Sequence, residues 1–131
     1  MALFDVDRFK AYNDTFGHLA GDDVLRTVAQ TLLQQSRELD GVYRYDGEEL
    51  LVVFPEQLLE QAADAAERMR SRVQALAIEH PEGVVTVSAG VAEIERDGPF
   101  ELGPLLERAD AALYRAKADG RNRVVSTLAV A

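Results

Sequence analysis

The chain has 131 residues, 47% of them hydrophobic, which is enough for one compact domain with a buried core but not for two. Its 14 basic and 23 acidic residues give a net charge of −9, which argues against binding to nucleic acid or to an anionic membrane through overall charge. The chain has no cysteine, no apolar run long enough to cross a membrane and no leader-like start. We therefore expect a cytoplasmic domain without disulfides or zinc–thiolate sites, in which a metal ion or a few local cations hold any anionic ligand.

Hydrophobic periodicity and turn signals predict alternating groups of strands and helices. The predicted elements are a strand at residues 2–4, helices at 8–16 and 21–36, strands at 42–45 and 50–54, a long helix at 58–77, a strand at 84–93, a helix at 105–118 and a strand at 123–126. The second helix is expected to start at Gly21, with Asp22 and Asp23 at the positive end of its dipole. A loop is expected at Asp97-Gly98-Pro99 and a frayed tail from Thr127 onwards. This order predicts an α+β fold of the ferredoxin-like or polymerase-palm-like type, with helices flanking a central, mostly antiparallel five-stranded sheet.

Two acidic clusters lie beside predicted strand ends. Asp5-Val6-Asp7 closes the first strand, and Glu48-Glu49 follows Asp46-Gly47, a dipeptide typical of a tight hairpin turn. Mg²⁺ prefers hard oxygen ligands and usually takes one or two carboxylates together with substrate phosphates, so the pattern favours a two-metal nucleotide site. A simpler interpretation stays open for each cluster, because a strand end, a helix cap and a plain hairpin turn use the same residues.

The chain resembles the GGDEF family of diguanylate cyclases in four blocks that occur in the family's order. They are DVDRFKAYND at residues 5–14, FGHLAGD at 16–22, RYDGEEL at 44–50 and ALYRAKADGRN at 112–122. The resemblance extends over essentially the whole chain. It implies condensation of two GTP molecules into cyclic di-GMP and pyrophosphate. Because each domain of this family holds one GTP, it also implies that catalysis needs a homodimer.

The resemblance implies a metal site and catalytic residues at the first strand and the hairpin. The Mg²⁺ (or Mn²⁺) ions would be held by Asp5, Glu48 and the backbone carbonyl of Val6, with Glu49 beside them. Glu48, Glu49 and Lys10 are the implied catalytic residues, and Lys10 would also reach the phosphates. The metal ions would lower the pKa of the attacking 3′-hydroxyl and neutralise charge on the phosphate oxygens.

The substrate site is likewise implied by the resemblance. Asn13 and Asp22 would bind the guanine edge, where an unmatched base would leave buried polar groups without partners. Gly47 would let the backbone approach GTP, and Lys117 and Arg121 would contact the phosphates. A helix dipole favours basic residues near any helix C-terminus, so Lys117 and Arg121 also have a purely structural interpretation.

A second ligand site is implied upstream of the hairpin. Arg37-Glu38-Leu39-Asp40 stands where the family has its RxxD motif, which binds cyclic di-GMP and inhibits the enzyme. Arg68 is a candidate secondary contact. A planar, cationic guanidinium suits both guanine and phosphate. An ordinary helix end is the alternative interpretation of these residues.

The signature departs from the family pattern at two positions. Leu50 replaces an aromatic residue, which is a modest change in a core-facing position. Asp46 replaces a glycine, and we expect it to adopt the left-handed conformation of the turn while bringing a negative charge close to GTP. A like charge facing a phosphate costs on the order of 1 to 4 kcal/mol, so Asp46 predicts reduced activity.

We expect residues 1–131 to be a single GGDEF domain from which the family's N-terminal segment is missing, joined to a sensory or receiver domain in a longer protein. Two functions remain open. One is an active cyclase inhibited by its product, with GTP and cyclic di-GMP as ligands and no contact of this domain with nucleic acid or membrane. The other is a degenerate module that binds GTP or cyclic di-GMP without catalysis.

Overall fold

The structure, a computed structural model, describes residues 1–93 and 101–127. Its elements are β1 (Ala2–Val6), α1 (Phe9–Phe16), α2 (His18–Gln34), β2 (Gly41–Asp46), β3 (Glu49–Val53), α3 (Leu59–Ala75), β4 (Glu79–His80), β5 (Gly83–Val84), β6 (Val87–Val91), α4 (Leu102–Ala118) and β7 (Val124–Ser126). The predicted α+β class is confirmed. None of the described helices is long and apolar enough to cross a membrane.

The central sheet has five strands in the order β2-β3-β1-β6-β7. All its pairs are antiparallel except β6 with β7, so the predicted mostly antiparallel sheet is confirmed. Strand β1 lies in the middle and is buried along its whole length. Because side chains alternate across a strand, Phe4 and Val6 enter the core cluster shared with α2 and α3, while Leu3 packs with residues of α4 on the opposite face. Asp5 therefore points toward the α4 side.

Helix α4 lies unusually close to β6, and Gly90 makes this approach possible. A Cβ atom at Gly90 would lie 2.1 Å from the carbonyl oxygen of Ala109 and 2.3 Å from the amide nitrogen of Leu113. Only glycine fits there without moving the helix. The next turn of α4 carries Lys117 to the end of β1, which is how a residue near the C-terminus reaches the first acidic cluster.

Several predicted boundaries differ from the structure; for example, β1 extends to Val6 and α4 already starts at Leu102. Helix α2 starts at His18, immediately after Gly17 (φ 91°), so Asp22 and Asp23 lie beyond its first turn and do not cap its dipole. The predicted strand at 84–93 is shorter, and a small hairpin of β4 and β5 precedes it. Two-residue strands are too short to show alternation, so no sequence pattern predicted this hairpin.

The predicted loop at Asp97-Gly98-Pro99 lies outside the described residues. So does the predicted tail after Thr127. Thr127 follows the last residue of β7 and stays bonded to the sheet, because its amide donates a hydrogen bond of 2.9 Å to the carbonyl of Val91.

Candidate active site

A polar cleft of about 430 Å³ lies between the β2–β3 hairpin and the α1–α2 pair. Its lining consists of Phe9, Asn13, His18, Asp22, Leu25, Arg44, Asp46, Gly47, Glu48 and Glu49. Five predicted site residues thus meet in one cleft: Asn13, Asp22, Gly47, Glu48 and Glu49. They come from parts of the sequence that only the fold brings together.

The side chain of Asn13 fits in this cleft because Gly21 has no side chain. A Cβ atom at Gly21 would lie 1.8 Å from Asn13 Oδ1 and 3.1 Å from the Phe9 ring. Asn13 Oδ1 is buried and has no hydrogen-bond partner among the described residues. An unsatisfied buried polar atom costs about 1–3 kcal/mol, so the site favours a ligand that completes the bond. The exposed carboxylate of Asp22 offers further acceptors at the same cleft.

The hairpin turn is Gly47-Glu48, and its left-handed residue is Gly47, with φ of 48°. The expectation that Asp46 adopts the left-handed conformation is wrong, because Asp46 is the last residue of β2 and pairs with Glu49. Arg44 supports the turn by donating a hydrogen bond of 2.9 Å from Nε to the carbonyl oxygen of Gly47. The side chain of Asp46 remains exposed at the cleft.

Three carboxylates come together where β1 meets the hairpin. Asp5 is 4% exposed and pairs with Glu49 across β1 and β3. Burial raises the pKa of Asp5, against the hydrogen bond and charge of Lys117. Burial also raises the pKa of Glu48 and of Glu49, and the negative charge of Asp5 raises both further. An additional cation would oppose these shifts by stabilising the ionised carboxylates.

These residues fit a hard divalent cation. Lys117 donates to Asp5 Oδ2, while Asp5 Oδ1 is buried and unpaired within residues 1–93 and 101–127. Over the same residues, no group of three or more Asp, Glu or His side chains forms a complete metal cage. A site with two carboxylates and few other protein ligands suits Mg²⁺, because this ion usually completes its coordination shell with water and substrate phosphates. Val6, whose carbonyl is the other predicted ligand, ends β1 next to Asp5.

The predicted phosphate-binding cations lie on three elements. Lys10 is exposed on α1, Lys117 is in the last turn of α4, and Arg121 is in the turn after α4. Arg121 has φ of 63°, a left-handed conformation that is strained for a residue with a side chain. It lines a second cavity of about 270 Å³, which Asp7 and Asn122 also line.

Asp7 follows the end of β1 and is bonded to other parts of the protein. Its carboxylate accepts hydrogen bonds from the hydroxyls of Thr86 and Ser88 and from the backbone amide of Asn122. Both oxygens of Asp7 thus have partners within the protein, whereas Oδ1 of Asp5, an implied metal ligand, has none among the described residues. Strand β6 and the turn after α4 supply the donors, and no local sequence pattern reveals them.

Two of the predicted inhibitory residues, Arg37 and Asp40, are bonded to each other. Arg37 donates to Asp40 from its backbone amide at 2.8 Å and from Nη2 at 2.9 Å, and also to the carbonyl of Pro55 at 2.8 Å. The side chain of Asp40 is 2% exposed. The pair precedes β2, whose six residues separate it by about 20 Å from the hairpin turn. Arg68 is exposed on α3, and among the described residues no hydrogen bond or ion pair joins it to Arg37 or Asp40.

Besides Asp46, which was expected close to GTP, four residues that line the cleft were not predicted as site residues. Phe9 and Leu25 carry only the hydrophobic periodicity of a helix core. No sequence pattern around His18 indicates a ligand or a partner side chain. Arg44 did have a signal, since it belongs to the hairpin block three residues ahead of Gly47, but strand alternation alone does not say that it holds the turn.

The sheet, the flanking helices and the acidic hairpin at the cleft define a palm-like α+β domain. A family profile described as "Diguanylate cyclase, GGDEF domain" matches residues 1–123, and the chain belongs to this family. The resemblance in the four sequence blocks is thereby confirmed.

Curated relatives and solved structures agree with this assignment. The chain is 43% identical over 125 residues to diguanylate cyclase DgcZ of Escherichia coli K12, covering 94% of this chain and 42% of that protein. It is 43% identical over 131 residues to response regulator PleD of Caulobacter vibrioides, covering 97% of this chain and 29% of that protein. The chain therefore spans less than half the length of these relatives. The GGDEF domain of DgcB from Caulobacter crescentus, solved with c-di-GMP, has a TM-score of 0.86 at 37% identity, covering 95% of this chain and 75% of that one. The active GGEEF domain of a diguanylate cyclase from Vibrio cholerae has a TM-score of 0.88 at 30% identity, covering 98% of this chain and 82% of that one.

Proposed function

We propose that residues 1–131 are a single GGDEF domain that condenses two GTP molecules into cyclic di-GMP and pyrophosphate. The observation that carries this proposal is the cleft that joins Asn13 and Asp22 on one side to Glu48 and Glu49 on the other. One side offers polar groups for a base and the other offers carboxylates for a metal. The family match and the relatives named diguanylate cyclase support the same activity.

Asn13 and Asp22 recognise guanine in this proposal. The carboxylate of Asp22 accepts hydrogen bonds from the N1 and N2 donors of the base, and the buried amide of Asn13 gains the partner that it otherwise lacks. Adenine presents a different donor pattern and leaves these polar groups unmatched, which explains a preference for GTP. Gly47 keeps the hairpin backbone free of a side chain at the cleft.

Asp5, Glu48 and the carbonyl of Val6 would hold Mg²⁺ or Mn²⁺, which supplies activation of the 3′-hydroxyl and charge neutralisation at the phosphate. Lys117, Arg121 and Lys10 provide the positive charge that the triphosphate needs in a protein of net charge −9. Glu49 lies opposite Asp5 on the neighbouring strand and adds to the negative field at the metal.

Two domains must face each other, because each cleft accommodates one GTP and the reaction joins two. We propose a homodimer that forms during catalysis, controlled by an attached sensory or receiver domain. Two relatives support such control: PleD is named a response regulator, and diguanylate cyclase SiaD was solved in complex with its activator SiaC.

Product inhibition at Arg37, Asp40 and Arg68 is a further part of the proposal. The structure of DgcB with c-di-GMP supports the product as a ligand of this family. The Arg37–Asp40 pair would bind the purine and phosphate groups of the product away from the cleft.

The alternative function is a binding module without catalysis, which Asp46 favours. Incubation of the purified protein with GTP and Mg²⁺, followed by chromatography for cyclic di-GMP, distinguishes the two. The enzyme forms product, and the Glu48→Gln variant does not. GTP binding by calorimetry without any product would support the module, whereas absence of both would contradict the proposed function.

A further inference from the structure

Asp7 links three parts of the fold that are distant in sequence. Its Oδ2 accepts hydrogen bonds from Thr86 Oγ1 at 2.7 Å and from the Asn122 amide at 3.0 Å, and its Oδ1 accepts one from Ser88 Oγ at 2.6 Å. The Asn122 amide also donates to Ser88 Oγ at 3.1 Å. Asp7 is 6% exposed, so these bonds are shielded from water. The carboxylate thereby fastens the turn after α4 to the ends of β1 and β6.

This turn has an uncommon backbone. Gly120, Arg121 and Asn122 all have positive φ, at 123°, 63° and 48°. Such a conformation costs on the order of 1 kcal/mol for each residue with a side chain, so it persists only where the surroundings fix it. The local hydrogen bonds of Arg121, from its amide to Ala116 at 3.0 Å and from Arg123 Nε to its carbonyl at 3.1 Å, use only its backbone and do not require an arginine. The strain is therefore best explained by what the guanidinium of Arg121 does.

A second contact holds the same turn from the opposite side. Arg70 on α3 donates from Nη1 to Asn122 Oδ1 at 2.7 Å, and Glu67 and Gln74 hold the rest of its guanidinium. The Arg70 side chain is 15% exposed. Asn122 is thus fixed through its backbone by Asp7 and through its side chain by Arg70, which leaves the neighbouring Arg121 little freedom.

We propose that Asp7 is a positioning residue, which holds the Gly120–Asn122 turn so that the Arg121 guanidinium stays beside the acidic cluster and the phosphates. The inference rests on the proposed function, since Arg121 is there a phosphate contact. It differs from a metal-ligand role for Asp7. Asp5 and Asp7 differ in this respect: one oxygen of Asp5 has no partner in the part of the chain that the structure describes, whereas both oxygens of Asp7 accept hydrogen bonds.

The variants Asp7→Asn and Asp7→Ala separate the two roles. The amide of asparagine can keep the geometry: its oxygen faces Thr86 and the Asn122 amide, and its NH₂ faces Ser88, whose hydroxyl can turn to accept. We expect Asp7→Asn to stay within about threefold of wild type in kcat/KM for GTP, and Asp7→Ala to lose about 100-fold, the cost of a misplaced contact. Asp23→Ala, at an exposed aspartate, is the matched control.

Two further measurements test whether Asp7 acts through the Gly120–Asn122 turn. The double variant Asp7→Ala/Arg121→Ala should be no less active than Arg121→Ala, because Asp7 acts through Arg121. Amide hydrogen exchange at Arg121 and Asn122 should be faster in Asp7→Ala by about tenfold or more. If Asp7→Ala does not fold, Ser88→Ala replaces it and should show the same pattern with smaller changes.

Three outcomes overturn the inference. In the first, Asp7→Asn is as inactive as Asp7→Ala and requires more Mg²⁺, which indicates that Asp7 is a metal ligand. In the second, Asp7→Ala has an unchanged kcat/KM. In the third, amide hydrogen exchange at Arg121 and Asn122 is the same in Asp7→Ala as in wild type. A wild-type protein that makes no cyclic di-GMP would refute the proposed function instead. The exchange comparison would then still decide whether Asp7 holds the turn.

Discussion

Lys117, in the last turn of α4, donates a hydrogen bond to the carboxylate of Asp5 at the end of β1, across 112 positions of sequence. The contact leaves the other oxygen of Asp5 buried and unpaired among the described residues. In the proposed function, a metal ion held by Asp5 would take over the neutralisation of this carboxylate, and Lys117 would then be available to a phosphate. Binding of metal and binding of triphosphate would therefore be coupled at this pair.

This coupling predicts that Mg²⁺ and GTP stabilise the fold together by more than the sum of their separate effects. The triphosphate supplies metal ligands that the protein lacks, and the metal relieves the repulsion among the carboxylates. At 100 times the dissociation constant the stabilisation is about 2.7 kcal/mol, or roughly 8 °C in melting temperature. Melting scans with each ligand alone and with both provide the measurement. An equal shift for GTP with Mg²⁺ and GTP with a chelator would contradict the metal site.

Glu48→Gln should abolish product formation and stabilise the metal-free protein at neutral pH. The variant loses a charged metal ligand, which we expect to reduce kcat/KM by about 100-fold or more. It also removes a partly buried carboxylate that the negative charge of Asp5 repels, whereas we expect the turn to keep its shape. Initial rates and thermal unfolding are measured on the same preparations. Glu107→Gln, at an exposed glutamate of α4, is the control. Unchanged synthesis by Glu48→Gln would refute its assignment.

The raised pKa of Glu48 gives this stability difference a defined pH dependence. A carboxyl whose pKa is higher in the folded state contributes stability that is present below the ordinary value of 4.5 and is lost as the pH rises through the raised value. The advantage of Glu48→Gln over wild type should thus be small below pH 4.5 and grow toward pH 7. Unfolding by urea at a series of pH values measures it. Mg²⁺ with GTP should abolish the difference or reverse it, and a difference independent of pH would exclude the electrostatic cause.

Much of this site could be predicted because four blocks of local sequence carry it. The hairpin and the helix positions of Asn13 and Asp22 follow from turn chemistry and periodicity, and the fold then brings them to one cleft. The role of Asp7 could not be predicted, because its partners Ser88 and Asn122 lie 81 and 115 positions away. Spacing within the Asp5-Val6-Asp7 cluster suggested a shared role, because positions i and i+2 of a strand lie on one face, but Asp7 follows the end of β1 and bonds to Thr86, Ser88 and Asn122.

The start of α2 was mispredicted for a local reason. Acidic residues at 22 and 23 are typical of a helix N-terminus, but Gly17 allows the chain to turn and begin the helix directly after it.

The close packing of α4 on β6 also could not be predicted from the sequence. Gly90 looks like a weak point in a strand, and only the position of the helix above it shows that a side chain cannot fit.

Arg37→Ala should relieve inhibition by cyclic di-GMP without weakening GTP binding, because β2 separates this pair from the cleft by about 20 Å. Calorimetry with product and with GTP, on wild type and variant, measures both affinities. Some stability is also lost, since Arg37 holds Asp40 and the carbonyl of Pro55. Arg26→Ala removes an arginine from an exposed pair of the same spacing and serves as the control. Equal product affinity in wild type and Arg37→Ala would show that residues 37–40 form an ordinary helix end and do not bind the product.

Asp46→Gly should raise cyclase activity. Asp46 lines the cleft, and its charge adds to the burial and the Asp5 charge that raise the pKa of Glu49, so it also opposes an incoming triphosphate. Removing it should increase the initial rate by about tenfold. The turn survives, because its left-handed residue is Gly47, although glycine in a strand costs about 0.5–1 kcal/mol of stability.

The Asp46→Asn variant separates charge from bulk in this prediction, since it removes the charge and keeps the side chain. Rates are measured at saturating Mg²⁺, with a phosphodiesterase present to remove the product and prevent feedback. If charge is the handicap, both variants are faster than wild type; if bulk is the handicap, only Asp46→Gly is faster. A rate for Asp46→Gly at or below that of wild type would show that the native cleft tolerates or uses this carboxylate, because neither its charge nor its volume then hinders GTP.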